Sequence, residues 1–144
     1  MISPQKELYN AGFREIEKIE KDAGNLAVSS PENFTVEHRL IELLLSIGVK
    51  REEIERIVFH DRGEGTDHFS GKTLSRTESD RLNRISHIVQ IAERVFGSHE
   101  KAFFWLRMPN IDLNNQNPMK AIETETGARI VDEILARIDY GIAA

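Results

Sequence analysis

The sequence predicts an all-α protein of two domains: an N-terminal helical, helix-turn-helix-like domain over residues 1–72 and a C-terminal helical domain over residues 73–144. Apolar residues recur at steps of three and four in several segments, and residues that start or end helices flank those segments. No segment shows the convincing alternation of apolar and polar residues that is typical of a strand. The glycine-bearing residues 60–72, at the end of the N-terminal domain, are predicted to form a loop.

The N-terminal half is predicted to contain three helices. The first is expected to end near Gly24, and residues 25–34 are interpreted as a connection. Thr35 is expected to cap the second helix, which Gly48 ends. A shorter helix over residues 49–59 follows directly. This order of helix, glycine turn and helix is typical of a helix-turn-helix, but also of an ordinary helical hairpin.

The C-terminal half contains the clearest helix signals. Ser75 and Glu78 have the spacing of a capping box, in which each side chain accepts a hydrogen bond from a backbone N–H of the other residue. A long amphipathic helix is therefore expected from this point to Gly97. Further N-caps are predicted at Ser98, Asn117 and Thr124, and the last helix is expected to end at Gly141.

Trp105 is the only tryptophan of the chain and is predicted to be a core residue. Ala102, Trp105 and Leu106 recur on one side of a short helix, which is a burial pattern. We therefore expect Trp105 to pack near Phe96 and the last helix, and not to face solvent.

Composition limits the classes of function. The 144 residues are 40% hydrophobic, carry a net charge of −5 and include no cysteine, which excludes disulfides and thiolate zinc sites. No long uncharged apolar stretch and no export leader is evident, so we expect a cytoplasmic protein without a membrane partner. The overall charge does not attract nucleic acid, and residues 50–84 contain as many acidic as basic side chains.

A metal site is considered in the predicted loop and not favoured. His60, Asp61, Asp67 and His68 could bring two imidazoles and two carboxylates to a divalent ion. The glycines between the two pairs leave their geometry undefined, so a polar loop is the preferred interpretation. We expect neither a metal nor a cofactor.

A catalytic group is also not indicated. Ser86 and His87 are neighbours on the predicted long helix, where adjacent side chains diverge by about 100° and cannot pair as nucleophile and base. No other constellation suggests chemistry, so the chain is expected to be a binding protein and not an enzyme.

A series of motifs runs from Leu74 to Gly141 in a defined order. They are Leu74-Ser75 with Glu78-Ser79-Asp80-Arg81-Leu82-x-Arg84-Ile85, Ala92-x-x-Val95-Phe96-Gly97, Ala102-x-x-Trp105-Leu106-x-x-Pro109-Asn110 with Leu113, Pro118, and Thr124-x-x-Gly127 continuing through Val131 and Leu135 to Gly141. In order and spacing these motifs resemble the antitoxins of the Xre/MbcA/ParS type, whose C-terminal toxin-binding domain pairs with RES-domain toxins.

The resemblance implies the antitoxin of a bacterial type II toxin-antitoxin system, whose partner is a RES-domain, NAD-degrading toxin that it neutralises by blocking the active site. It also implies an N-terminal helix-turn-helix that represses its own operon. The candidate contacts to operator DNA are Arg51, Arg56, Arg62 and Lys72. Residues 60–72 depart from the family pattern, so either DNA is not read or another part of the domain reads it. A DNA-binding transcriptional regulator without an enzyme partner is the alternative.

The last six residues are the predicted toxin-binding segment. They are Asp139, Tyr140, Gly141, Ile142, Ala143 and Ala144. The glycine lets the chain leave the helix axis, the tyrosine and isoleucine offer apolar contacts, and a terminal carboxylate can meet a phosphate-binding cation. The alternative is that these residues fray, as many termini do. The wide apolar helix faces additionally indicate a homodimer.

Overall fold

The computed structural model describes residues 31–63, 68–69 and 73–141, with side chains from residue 37 onward. These residues contain helices and turns and no strand, which confirms the predicted all-α class. The first predicted helix, ending near Gly24, lies outside the described residues. The elements are α1 (Pro31–Ile47), α2 (Arg51–Val58), α3 (Arg76–Phe96), α4 (His99–Leu106), a 3-10 helix (Ile111–Leu113), α5 (Pro118–Ala121) and α6 (Glu125–Asp139).

The chain divides into two compact units within α3. The described residues of the first unit end at Asn83, and the second unit begins at Arg84. The domain boundary between residues 72 and 73 stays a prediction.

The first unit contains the predicted helix, glycine turn and helix. Gly48 turns the chain after α1 with a φ of 123°, a conformation that favours glycine. The backbone N–H of Lys50 donates to a carboxylate oxygen of Glu53 at 2.8 Å, so the Glu53 side chain caps the start of α2. Both helices bury apolar residues at helical spacing: Leu40, Ile41, Leu44 and Ile47 of α1, and Ile54, Ile57 and Val58 of α2.

The predicted start of α1 is wrong. The helix begins at Pro31, four residues before Thr35, so part of the predicted connection is helical. Proline suits the first helical position because the backbone N–H that it lacks would have no partner inside the helix, and its fixed φ matches the helix. Thr35 therefore lies within α1 and is not its N-cap.

The capping box at the start of α3 is confirmed. The backbone N–H of Ser75 donates to Glu78 at 2.8 Å, and the backbone N–H of Glu78 donates to the Ser75 hydroxyl at 3.1 Å. Gly97 follows the helix with a φ of 77°, as expected of a helix-ending glycine. Along α3 the apolar residues Leu82, Ile85, Ile88, Val89 and Ala92 are buried, which confirms the predicted face.

Side-chain caps also start the later helices, as predicted. Ser98 accepts from the backbone N–H of Lys101 at 3.2 Å, Asn117 from that of Lys120 at 2.8 Å, and Thr124 from that of Gly127 at 3.0 Å. Each cap pairs one of the backbone donors that a first helical turn leaves open. The core of the second unit includes Ala102, Phe103, Leu106, Met119, Ile122, Val131 and Leu135.

At Gly127 the backbones of α5 and α6 approach each other closely. A Cβ atom at this position would lie 1.9 Å from the carbonyl oxygen of Ala121 and 2.7 Å from its carbonyl carbon. Any side chain would therefore force the backbone of one helix away from the other. The Thr124-x-x-Gly127 motif thus combines the N-cap of α6 with the contact that sets its position against α5.

Candidate functional site

The predicted toxin-binding segment begins at the exposed end of α6. Asp139 is the last helical residue, and the side chain of Tyr140 is 79% exposed. Gly141 adopts a φ of 69°, and a Cβ added there would meet nothing within 4 Å. The helix therefore ends where the sequence predicts, with a tyrosine available for contact and a residue that turns the chain off the helix axis. Ile142, Ala143 and Ala144 lie outside the described residues.

Two ion pairs join α3 and α6 within the second unit. Arg94 approaches Asp139 at 3.6 Å, and His87 approaches Asp132 at 3.8 Å. All four side chains are substantially exposed, so water and salt screen both pairs and each adds little stability. The Arg94 pair nevertheless holds a charged side chain of α3 beside the start of the predicted toxin-binding segment.

An open apolar groove lies between the end of α3 and α4. It has a volume of about 480 Å³. Three aromatic side chains, a methionine, one acidic and one basic residue line it: Phe96, Phe104, Trp105, Met108, Glu100 and Lys101. Phe104 is 69% exposed, and Met108 is exposed as well. Exposed aromatic residues and methionine are enriched at protein interfaces.

Trp105 differs from its prediction. Its ring lies 5.4 Å from the ring of Phe96, which confirms the expected neighbour. The tryptophan is only partly buried, however, and the buried residues of α4 are Ala102, Phe103 and Leu106. Consecutive residues of a helix point about 100° apart, so a helix with Phe103, Phe104 and Trp105 in succession cannot bury all three on one face. These three consecutive aromatic residues were the signal in the sequence for the groove, and the prediction missed that signal.

The candidate DNA contacts occupy different environments. Arg51 and Arg56 are exposed on α2, with Arg51 3.8 Å from Glu55 and 4.1 Å above the ring of Phe69. Arg62 is half-buried and lies against another part of the first unit. Lys72 lies outside the described residues.

Arg62 forms an ion pair with Glu78, the capping-box residue of α3. Its nitrogens lie 2.6 Å and 2.9 Å from the two carboxylate oxygens, and its guanidinium lies 4.8 Å from the ring centre of Phe59. Burial raises the pKa of Glu78, but hydrogen bonds from Arg62 and Ser75 outweigh it and leave that pKa below its ordinary value. This arginine therefore has a structural role, since it joins the turn after α2 to α3.

Two of the four residues considered for a metal, His60 and Asp61, take part in a second ion-pair group, and Asp67 lies outside the described residues. Asp61 accepts from Arg81 at 2.8 Å and lies 3.1 Å from His60, and the hydrogen bond from Arg81 lowers the pKa of the Asp61 carboxyl. His68 lies 3.3 Å from the carbonyl oxygen of Gly63. Across the described part of the chain, no three histidine or acidic side chains gather as metal ligands would. Nor is any helix in that part long and apolar enough to cross a membrane.

A small all-α unit that presents aromatic and aliphatic side chains to solvent is typical of a protein-interaction domain. Residues 92–141, which include the groove and the end of α6, match the family described as "Antitoxin Xre/MbcA/ParS C-terminal toxin-binding domain". The C-terminal unit of this chain is therefore similar to the toxin-binding domain of the Xre/MbcA/ParS antitoxins, which confirms the resemblance of the sequence motifs.

Three curated relatives bear the name Antitoxin Xre. The chain is 41% identical over 68 residues to the protein from Pseudomonas putida, which covers 47% of this chain and 43% of the relative. It is 29% identical over 102 residues to the protein from Yersinia enterocolitica, and the aligned residues cover 70% of this chain and 62% of the relative. It is 32% identical over 77 residues to the protein from Photorhabdus laumondii, and the aligned residues cover 52% of each chain. The chain thus spans about half the length of the curated relatives it matches.

Proposed function

We propose that this chain is the antitoxin of a type II toxin-antitoxin system, which binds and neutralises a RES-domain, NAD-degrading toxin by blocking its active site. The observation that carries the proposal is the match of residues 92–141 to the toxin-binding domain family. The three relatives named Antitoxin Xre support it. Inhibition is by occupation: the chain contributes no chemistry of its own and acts in the cytoplasm as a homodimer within the complex.

The inhibitory contact is assigned to the segment Asp139, Tyr140, Gly141, Ile142, Ala143 and Ala144. Support comes from its first three residues, where α6 ends, the tyrosine is exposed and the glycine turns the chain away. A tyrosine on a short extension can enter a pocket with its ring in apolar contact and its hydroxyl hydrogen-bonded. In this mechanism the segment excludes NAD, while the folded helices supply most of the contact area.

Co-expression with a RES-domain toxin tests the proposal directly. Cells that express the toxin alone should stop growing and lose NAD, and co-expression of this chain should restore both. The purified complex should have no NAD-degrading activity, whereas the separated toxin should regain it. A toxin that neither co-purifies with this chain nor loses activity in its presence would refute the proposed function.

Repression of its own operon is the second part of the proposal, and a DNA-binding regulator without an enzyme partner is the alternative function. The observation that favours DNA binding is the order of α1, glycine turn and α2, with Arg51 and Arg56 exposed on the second helix. Phosphate contacts release counterions, so affinity for the operator should fall steeply with salt. Lys72 is a further candidate contact, and Arg62 could contact DNA only if its ion pair with Glu78 were to open.

Binding to operator DNA should require the residues before Leu74. The double variant Arg51→Ala with Arg56→Ala should bind more weakly and show a shallower dependence on salt. The matched control is Arg129→Ala with Arg137→Ala on α6, which removes the same charge from exposed positions of the other unit. Equal losses in both variants, or full binding by a fragment from Leu74 onward, would exclude the assignment.

A further inference from the structure

Besides the end of α6, the second unit has a second surface that a partner can occupy, the groove of Phe96, Phe104, Trp105 and Met108. We propose that this groove binds an apolar side-chain ridge of the toxin and supplies the affinity of the complex, while residues 139–144 supply the inhibition. The proposal rests on the proposed function, because it names the surface through which the same partner docks.

The groove exposes apolar area that the fold itself does not need. Phe103, the neighbour of Phe104, is buried in the core with Ala102 and Leu106, so the core of α4 is complete without Phe104. A phenylalanine that is 69% exposed leaves most of its apolar surface in water, which is unfavourable in the isolated chain and becomes favourable when a partner covers it.

The composition of the groove suits docking by a protein. Aromatic residues and methionine are enriched at protein interfaces, and methionine adapts its shape to the partner. Glu100 and Lys101 also line the groove, where they can pair with opposite charges of the partner and fix its orientation. The partner surface that fits is therefore an apolar ridge, as one face of an amphipathic helix presents, with charged residues of both signs beside it.

The occupant is assigned to the toxin because of where the groove lies in the sequence. All six residues of the groove fall between positions 96 and 108, inside residues 92–141 that match the toxin-binding domain family. A second copy of this chain could also cover the apolar groove, and the experiment below separates the two occupants.

The decisive variant is Phe104→Asp, with Ile111→Asp as the matched control. Both positions are exposed apolar residues, at 69% and 84%, and only Phe104 lines the groove. Titration calorimetry with an inactive toxin should show binding weakened about 30-fold or more for Phe104→Asp, as for an interface hot spot, and nearly unchanged for Ile111→Asp. Equal thermal melting of both variants and the parent chain should show that the fold is preserved.

Each other outcome is informative. If the parent chain binds no toxin, the proposed function itself fails. If the parent chain binds and Phe104→Asp binds equally well, the groove is not the docking surface although the function stands. Equal weakening by both variants would also overturn the assignment, since the effect would not be specific to the groove. Conversion of a dimer to a monomer by Phe104→Asp, with toxin binding retained, would assign the groove to a second copy instead.

Discussion

In the unit that ends at Asn83, two arginines join the turn after α2 to the N-terminal part of α3, through Arg62 with Glu78 and Arg81 with Asp61. In the unit that begins at Arg84, hydroxyl and amide side chains cap the helices, and the backbones of α5 and α6 touch at Gly127. The described ion pairs of this second unit lie on its surface. Stability should therefore depend on pH mainly in the first unit and on steric fit mainly in the second.

The largest expected effect is on the core of the second unit. Phe103→Ala should lower the free energy of unfolding by about 3–5 kcal/mol, because it removes a buried ring and leaves a cavity. Trp105→Ala should cost only about 1–2 kcal/mol, because much less of its side chain leaves water on folding. Denaturant unfolding followed by circular dichroism measures both. A larger loss for Trp105→Ala would mean that the tryptophan anchors the core after all.

The next largest loss of stability is expected from a substitution at Gly127. Gly127→Ala should destabilise the second unit by about 3 kcal/mol, because the new methyl group would overlap the carbonyl of Ala121. The control is Gly63→Ala in the first unit, where an added Cβ meets nothing within 4 Å and the change should stay within about 0.5 kcal/mol. The fluorescence of Trp105 reports on unfolding of the second unit. Similar losses of stability for both substitutions would contradict the steric explanation.

The ion pair at Glu78 should make the first unit sensitive to acid. The pKa of Glu78 is lowered in the folded protein, so its contribution is fully present above the ordinary value of 4.5 and is lost as the pH falls below it. Glu78→Gln should therefore cost about 1–2 kcal/mol near neutral pH and progressively less in acid.

Hydrogen exchange of the α2 amides measures this local stability at each pH. Glu52→Gln, at an exposed position in the first turn of α2, is the control. A constant difference between Glu78→Gln and the parent chain from pH 7 down to acid would show that charge on Glu78 does not contribute.

The smallest effect on stability is expected at the end of α6. Deletion of residues 140–144 should change the free energy of unfolding by less than about 0.5 kcal/mol, because Tyr140 and Gly141 are exposed. The shortened chain should still co-purify with the toxin but should no longer prevent NAD degradation. Full neutralisation by the shortened chain would assign inhibition to the docked helices alone.

Local chemistry decided most of the helix boundaries, and these were predictable from the sequence. A cap is a hydrogen bond between residues three apart, so Ser75 with Glu78, Ser98, Asn117 and Thr124 act in the same way in many surroundings. Glycines that end helices likewise need only a local left-handed conformation, as at Gly97 and Gly141. The start of α1 was mispredicted because Thr35 and Pro31 both carry helix-start signals, and the proline marks the actual start.

Contacts between residues distant in the sequence were decided only by the tertiary structure. The spacing of 16 residues between Arg62 and Glu78 carries no signal, so the ion pair between them was not predicted. Periodicity likewise could not tell which of Phe103, Phe104 and Trp105 is buried, because that depends on which side of α4 the rest of the unit covers. The sequence by itself determined most of the helix boundaries and the similarity of the C-terminal unit to the Xre/MbcA/ParS antitoxins. The groove and the close contact at Gly127 required the folded chain, because each depends on the distance between separate helices.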